Sequence, residues 1–354
     1  MSIGNRQMLT VGVDLGATNL RIAAYSPGDG LLETVAIPTR LRAGPREVVR
    51  DICDAVDRLA GAHGGNREMA GVGVGSPGPL ELPAGRLHTP PNLPGWDGFN
   101  LREEMERRLQ IPVEIDGDAN VAALAEFALG SGKLLGVDSL CMLTLGTGVG
   151  CGLILDGRIW RGGSGMAAEA GHLTIDPDGP LCGCGNSGCL ESYASATALV
   201  NAANRMRSAR AVRGSVSQVE GTTAPNAGTL AAAARGGDSD ARRAYSEAGQ
   251  ALGIGLAALV NLLNLPLYVV GGGVARSWDL LSPGLFEELH RRSYVYRLTA
   301  AGGPASHGIP GGGTRVVPAH LGPEAGLLGA CILPLQGTGT AGRKDASAVD
   351  PVSS

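Results

Sequence analysis

Short apolar runs separated by glycine-rich turns dominate the chain, with amphipathic stretches between them. Residues 9–14 (L-T-V-G-V-D) read as a strand followed by the turn L-G-A-T-N. Residues 20–25 form a second strand, 26–30 a turn, and 31–37 a third. The period then changes: Val48, Ile52, Val56 and Leu59 recur at helical spacing and predict an amphipathic helix over 45–59. Residues 72–75 suggest a short buried strand ending in the loop S-P-G-P-L. After a Pro-rich passage to Trp96, Asn100 caps a helix through Leu109. Residues 113–116 form a strand that runs into G-D-A-N and an alanine-rich helix over 121–129.

The second half begins by repeating the first. Residues 140–145 (L-C-M-L-T-L) read as a strand, G-T-G-V-G as a glycine turn, and 151–155 (C-G-L-I-L) as the return strand. Two hairpins with glycine-rich tips, far apart in the chain, predict an internally duplicated α/β protein with a cleft between its halves. The expected units are 8–117 and 118–322, with a closing helix over 323–335 completing the first. Within the second, residues 241–264 predict a long helix whose Gly249, Gly253 and Gly255 permit close packing, and 267–270 a strand feeding G-G-G-V. The polar stretch 208–226 reads as a flexible excursion, and 337–354 as a disordered tail.

Composition narrows the function classes. A net charge of −4 with no Lys/Arg block argues against nucleic acid as a partner. The first ten residues lack the apolar core of a signal peptide. The most apolar helical run, 254–263, is too short and too interrupted by Gly and Asn to span a bilayer, so no membrane partner is expected. Cys53, Cys141, Cys151 and Cys331 lie scattered in apolar surroundings and read as reduced core residues, which fits a cytoplasmic protein.

The other three cysteines carry chemistry. His172, Cys182, Cys184 and Cys189 are spaced H-x9-C-x-C-x4-C, a donor set suited to tetrahedral Zn2+. Four protein ligands close the site, so the metal is structural and the alternative is a staple and nothing more. A zinc-bound histidine still has a second ring nitrogen that needs a partner. Glu169 and Glu191 bracket the cluster, and neither is needed by the metal. The glycine tips at 16–18 and 146–150 can each present backbone N–H groups to an anion, or simply serve tight turns. No G-x4-G-K-[ST] exists, which excludes a P-loop NTPase. Asp118, just after a strand, is placed either to take a proton from a substrate hydroxyl or to cap the helix that follows. Asp14 has the same ambiguity, between orienting Mg2+ and satisfying turn amides. Glu126 reads as a solvated or packed charge, and His63, His88, His290, His307 and His320 as surface or satisfied histidines.

The segments D-L-G-A-T-N, D-A-N-V-A-A-L-A-E, G-T-G-V-G, E-A-G-H with C-x-C-G-x2-G-C-x-E, and L-G-P-E-A-G-L-L-G-A together resemble the ROK family (repressor, open reading frame, kinase). The resemblance runs over roughly residues 9–333 and implies an actin/hexokinase-like, ribonuclease H-like fold. It implies ATP-dependent phosphorylation of a hexose, with glucose to glucose 6-phosphate as the leading expectation. N-acetylmannosamine, fructose or another hexose stands as the nearer rival, and polyphosphate as a possible donor.

Carried over by residue, Asp118 is the general base. Asn92, Glu169, His172 and Glu191 contact sugar hydroxyls, and His172, Cys182, Cys184 and Cys189 hold zinc. Asp14, Gly16, Thr18, Gly146, Thr147 and Gly148 surround the ATP phosphates and Mg2+, while Gly272 and Gly273 lie near the adenosine. A homodimer or homotetramer is implied as well. Family regulators carry a DNA-binding domain before the kinase-like part; only eight residues precede the first strand here, which disfavours that reading. A non-catalytic sugar sensor is the remaining alternative. Two positions depart from the family: Gly117 stands where an asparagine is usual, and Asn19 where a lysine is common.

Overall fold

The computed structural model describes residues 8–64, 68–212 and 226–337. Its first strands, β1 (Met8–Leu15), β2 (Asn19–Ser26) and β3 (Gly30–Pro38), form an antiparallel meander. Helix α1 (Pro45–His63) returns the chain to β4 (Glu68–Ser76), which lies parallel to β1. A small hairpin, β5 (Leu80–Glu81) with β6 (Arg86–Leu87), precedes α2 (Leu101–Leu109), where Asn100 accepts from the Glu103 N–H at 3.1 Å as the N-cap. Strand β7 (Val113–Gly117) completes a sheet of order β3-β2-β1-β4-β7.

The same plan is then built a second time. After α3 (Asp118–Ala128) and α4 (Ser131–Leu135), strands β8 (Leu140–Leu145), β9 (Val149–Leu155) and β10 (Arg158–Ile159) make another antiparallel meander. The helices α5 (Glu191–Ala194), α6 (Ala196–Val212), α7 (Ala227–Arg235) and α8 (Ser239–Leu263) follow. Strand β11 (Leu267–Gly271), helices α9 (Trp278–Arg292) and α10 (Tyr294–Thr299), and strand β12 (Arg315–Pro318) close the set. The second sheet has the order β10-β9-β8-β11-β12, with β11 parallel to both β8 and β12. The repeat seen in the two hairpins thus extends to whole sheets.

The last helix, α11 (Ala325–Ile332), reveals how the two sheets are joined. It follows the final strand of the second sheet but packs on β1 and β4 of the first, whereas α3 follows the first sheet and packs on β8 and β9 of the second. The two helices also pack on each other, so Val121, Leu124, Leu327 and Cys331 share one core with strand residues from both sheets. Helix α11 comes so close to the first sheet that a β-carbon at Gly12 would meet the Cys331 backbone, and one at Gly73 the Ala330 carbonyl. An alanine at either place would overpack the layer by about 1–3 kcal/mol. The outer faces are covered by α1 and α2 on the first sheet and by α6 to α9 on the second.

Several expectations need adjustment. The alanine-rich helix starts at Asp118, with Gly117 as N-cap, so the turn before it is tighter than its composition suggests. Helix α6 continues to Val212 because Arg and Ala are strong helix formers; the remainder of the polar excursion, 213–225, lies outside the described residues, as does the tail from 338. The closing helix is α-helical only over Ala325–Ile332, flanked by 3-10 turns at Gly322–Glu324 and Leu333–Gly337. Helix α8 has 25 residues and by length and composition alone would pass for a membrane span, though 56% of its apolar window is buried within the protein. Cys53, Cys141, Cys151 and Cys331 are buried and free. His63 and His88 are satisfied at Glu33 and Glu81, at 2.9 and 3.1 Å.

Candidate active site and metal knuckle

The end of β7 and the start of α3 form the turn that presents Asp118. Asp116, fully buried, fixes it: its Oδ1 accepts from the Gly117 N–H (2.8 Å) and the Asn120 amide (2.7 Å). Its Oδ2 accepts from Arg161 Nε (2.7 Å) on the loop that leads toward Glu169. Asp118 does not cap the helix in the expected manner; it is the first helical residue, and its Oδ1 accepts from the adjacent Ala119 N–H at 2.7 Å. Protein atoms surround its carboxylate on most sides while water still reaches it. That burial pushes Asp118 up to about 6, against the pull of the Ala119 N–H, and the charges of Asp14 and Glu169 add to the rise. Asp118 therefore feels two carboxylates from separate parts of the chain.

Asp14 ends β1 and is engaged: Arg21 donates to its Oδ2 from Nε (3.0 Å) and Nη2 (2.7 Å). Arg21 also donates to the Pro323 carbonyl at 2.8 Å, tying the first hairpin to the turn before α11. Around the tip, the Gly16 N–H donates to the Asn19 carbonyl (3.2 Å), and Thr18, exposed, accepts from the Thr39 N–H (2.9 Å).

The second tip is tied to the knuckle through Glu191, the first residue of α5. Glu191 Oε2 accepts from the Val149 N–H at 2.9 Å, and a β-carbon at Gly148 would collide with that same oxygen. The glycine is there to let the carboxylate reach the hairpin. Gly146 and Thr147 are held in turn by α6, whose Ala196 N–H and Thr197 hydroxyl donate to their carbonyls at 2.8 and 3.1 Å.

The four expected metal ligands converge. One donor atom from each of His172, Cys182, Cys184 and Cys189 lies within 4.8 Å of every other. Cys184 Sγ is 3.7 Å from Cys189 Sγ, and His172 Nδ1 is 3.7 Å from Cys182 Sγ. Zinc–sulfur bonds of ~2.3 Å at tetrahedral angles put donor atoms ~3.8 Å apart, so these residues fit zinc. Burial first, then the neighbouring Cys184 and Cys182 sulfurs, push Cys189 up to about 12, while a backbone hydrogen bond from Asn186 holds exposed Cys184 below the usual thiol range. With Nδ1 facing the sulfurs, Nε2 of His172 points away from them. The Cys182 thiol sits 3.8 Å from Glu191 Oε1, so the knuckle and the hairpin tip share one carboxylate.

A cavity of about 520 Å³ opens beside the second tip. Gly146, Thr147 and Gly273 line it, together with Asn226, Arg235 and Arg276. Gly272, at φ +87°, packs against the Leu145 backbone outside the lining. Asp14, Gly16, Thr18 and Gly148 are likewise not part of this wall. Asn92 lies exposed in a turn and makes no hydrogen bond among the described residues. Sequence reasoning missed Arg276 and Arg161, and left Glu126 open between a solvated and a packed charge. Glu126 is not solvated: it is 0% exposed and accepts from Ser131 N–H (3.0 Å) and Leu321 N–H (2.7 Å), clamping α3 to the segment before α11.

A family model, the ROK family, matches residues 10–336. The chain belongs to the ROK family. Among ROK relatives it is 35% identical to a glucokinase of Streptomyces coelicolor, over 92% of this chain and 97% of that protein. It is 28% identical to an N-acetylmannosamine kinase of Escherichia coli, over 92% and 98%. A ROK glucokinase from Streptomyces griseus, solved with glucose and AMPPNP, is 33% identical with a TM-score of 0.72, covering 93% of this chain and all of that one. These relatives support a sugar kinase built on a mixed α/β, two-sheet fold.

Proposed function

We propose that this ROK protein is an ATP-dependent hexose kinase that converts glucose to glucose 6-phosphate. The observation that carries the reading is the environment of Asp118, raised to about 6 and within the field of both Asp14 on the first tip and Glu169 beside the knuckle. A general base near neutrality suits abstraction of a hydroxyl proton. In this scheme the sugar 6-hydroxyl gives its proton to Asp118 as its oxygen bonds to the γ-phosphorus. The bond from that phosphorus to the β,γ-bridging oxygen breaks, ADP leaves, and the proton passes to water.

Glu169, His172 Nε2, Glu191 and Asn92 hold the other sugar hydroxyls. Asp14, whose Oδ2 is taken by Arg21, would help hold Mg2+, which would offset the charge of the phosphates. Gly16, Thr18, Gly146, Thr147 and Gly148 line the phosphates, with Gly272 and Gly273 near the adenosine. His172, Cys182, Cys184 and Cys189 hold Zn2+, which fixes the histidine and supplies no step. Units 8–117, completed by 323–335, and 118–322 close over the sugar and exclude water, the competing acceptor. The assembly is a homodimer or homotetramer.

Gly117 favours one second reading, a kinase for another hexose such as N-acetylmannosamine. A β-carbon there would meet only Asn120 Nδ2 at 3.8 Å, so the space a side chain usually fills stands open. ADP release measured across a panel of sugars, with zinc content on the same preparation, tests both. Preference for glucose supports the first reading; preference for an N-acetylated or other hexose replaces it, and sugar binding without ADP release removes both.

A further inference from the structure

The wall of the 520 Å³ cavity carries two guanidinium groups in different states. Arg235, at the end of α7, is neutralised by Asp279: its Nε and Nη2 donate to the two carboxylate oxygens at 3.0 and 2.6 Å. Arg276, in the turn between Gly273 and α9, is exposed and has no ion pair or hydrogen bond among the described residues. Two arginines by the first tip are already committed, Arg21 to Asp14 and Glu324 and Arg40 to Asp51. A nucleotide with its phosphates in this region would bring several negative charges toward backbone amides and toward Arg276, uncommitted among the described residues.

We propose that Arg276 is a donor-binding residue, its guanidinium contacting a phosphate of the nucleotide whose adenosine occupies this cavity. The proposal rests on the reading of the cavity as the nucleotide site. Three features favour a phosphate over the base as its target. The guanidinium is planar, permanently charged and forked, a geometry that matches phosphate oxygens in pairs. It shares a wall with Gly146 and Thr147; at that tip the Gly146 and Val149 N–H groups are already engaged, which leaves those of Thr147 and Gly148 for the same anion. Among the described residues no carboxylate forms an ion pair with it, in contrast to Arg235, which holds Asp279. A charge-assisted contact of this kind changes affinity by ~10-fold or more.

The test uses the full chain and displacement of a fluorescent N-methylanthraniloyl ADP by ADP, AMP and adenosine. Arg276→Gln should weaken ADP and AMP by about tenfold or more while leaving adenosine within about twofold, and Arg276→Lys should recover part of the loss. Because the side chain is exposed, both variants should melt with the wild type; sugar affinity, measured separately, should not change. Equal weakening of all three ligands would assign Arg276 to the base or ribose and overturn the proposal, as would no weakening at all. Wild-type protein that binds none of the three overturns it together with the nucleotide reading, an outcome set apart by the absence of ADP release from any sugar.

Discussion

Replacing Asp118 by Asn tests the centre of the mechanism through rate and stability at once. The amide keeps the shape of the side chain and cannot take a proton. Loss of a positioned general base costs ~10²–10⁴-fold in turnover, and sugar binding should survive. Wild-type kcat/KM for sugar should be flat above about pH 6 and fall toward tenfold per unit below it, since the base is then protonated. Stability moves the other way. The carboxyl is raised from 3.8 to about 6 in the folded protein, so the folded state holds its proton more tightly than the unfolded chain. Ionised Asp118 therefore opposes folding above pH 6, and the penalty fades as pH falls through 6 toward 3.8. In a dry site that difference would be worth ~3 kcal/mol. Water reaches Asp118, which screens it to ~1 kcal/mol. Urea denaturation at pH 8 should thus find Asp118→Asn more stable than wild type by about that amount, with the gap closing near pH 4. Turnover retained in the variant, or a kcat/KM flat from pH 5 to 8, would remove Asp118 as the base. A variant less stable at pH 8 would refute the account of its environment.

Three further changes probe separate parts of the site. Cys184→Ser should release zinc, read by metal analysis, and weaken sugar binding although Cys184 need never touch sugar; unchanged sugar affinity would reduce the knuckle to a staple. Gly117→Asn fits the backbone, at φ −61° and ψ 144°, and should tighten glucose by ~1 kcal/mol in a binding titration if the position faces an unmet hydroxyl. Weaker binding of an N-acetylated or other hexose in the same variant would show that the gap houses a substituent. Glu126→Ala leaves the Ser131 and Leu321 amides without their buried acceptor and should cost about 2–5 kcal/mol in urea denaturation, with little change in C-terminal secondary structure by circular dichroism. A loss under 1 kcal/mol would mean that water replaces the carboxylate.

The sequence by itself determined whatever depends on neighbours along the chain. Strand and helix periods marked the first meander and the hairpin that begins the second, because side-chain direction repeats every two or 3.6 residues whatever the chain packs against. The knuckle was legible for a similar reason: His172, Cys182, Cys184 and Cys189 span eighteen residues, and few local conformations bring four such donors together. The duplication of the hairpins foretold the matching strand orders of the two sheets.

Only the tertiary structure decided what depends on segments far apart. It exchanged two helices, sending α3 to the second sheet and α11 to the first, where both are buried on nearly every side and fill the layer between the sheets. It decided between a solvated and a packed Glu126, making it a buried clamp through an amide 195 residues away. It joined Glu191 to Val149, and set Arg276 on the same cavity wall as Thr147, uncommitted among the described residues, while pairing Arg235 with Asp279. Whether a charge is solvated, paired or held ready for a ligand is fixed by the groups that surround it in space, and those come from parts of the chain that no local pattern connects.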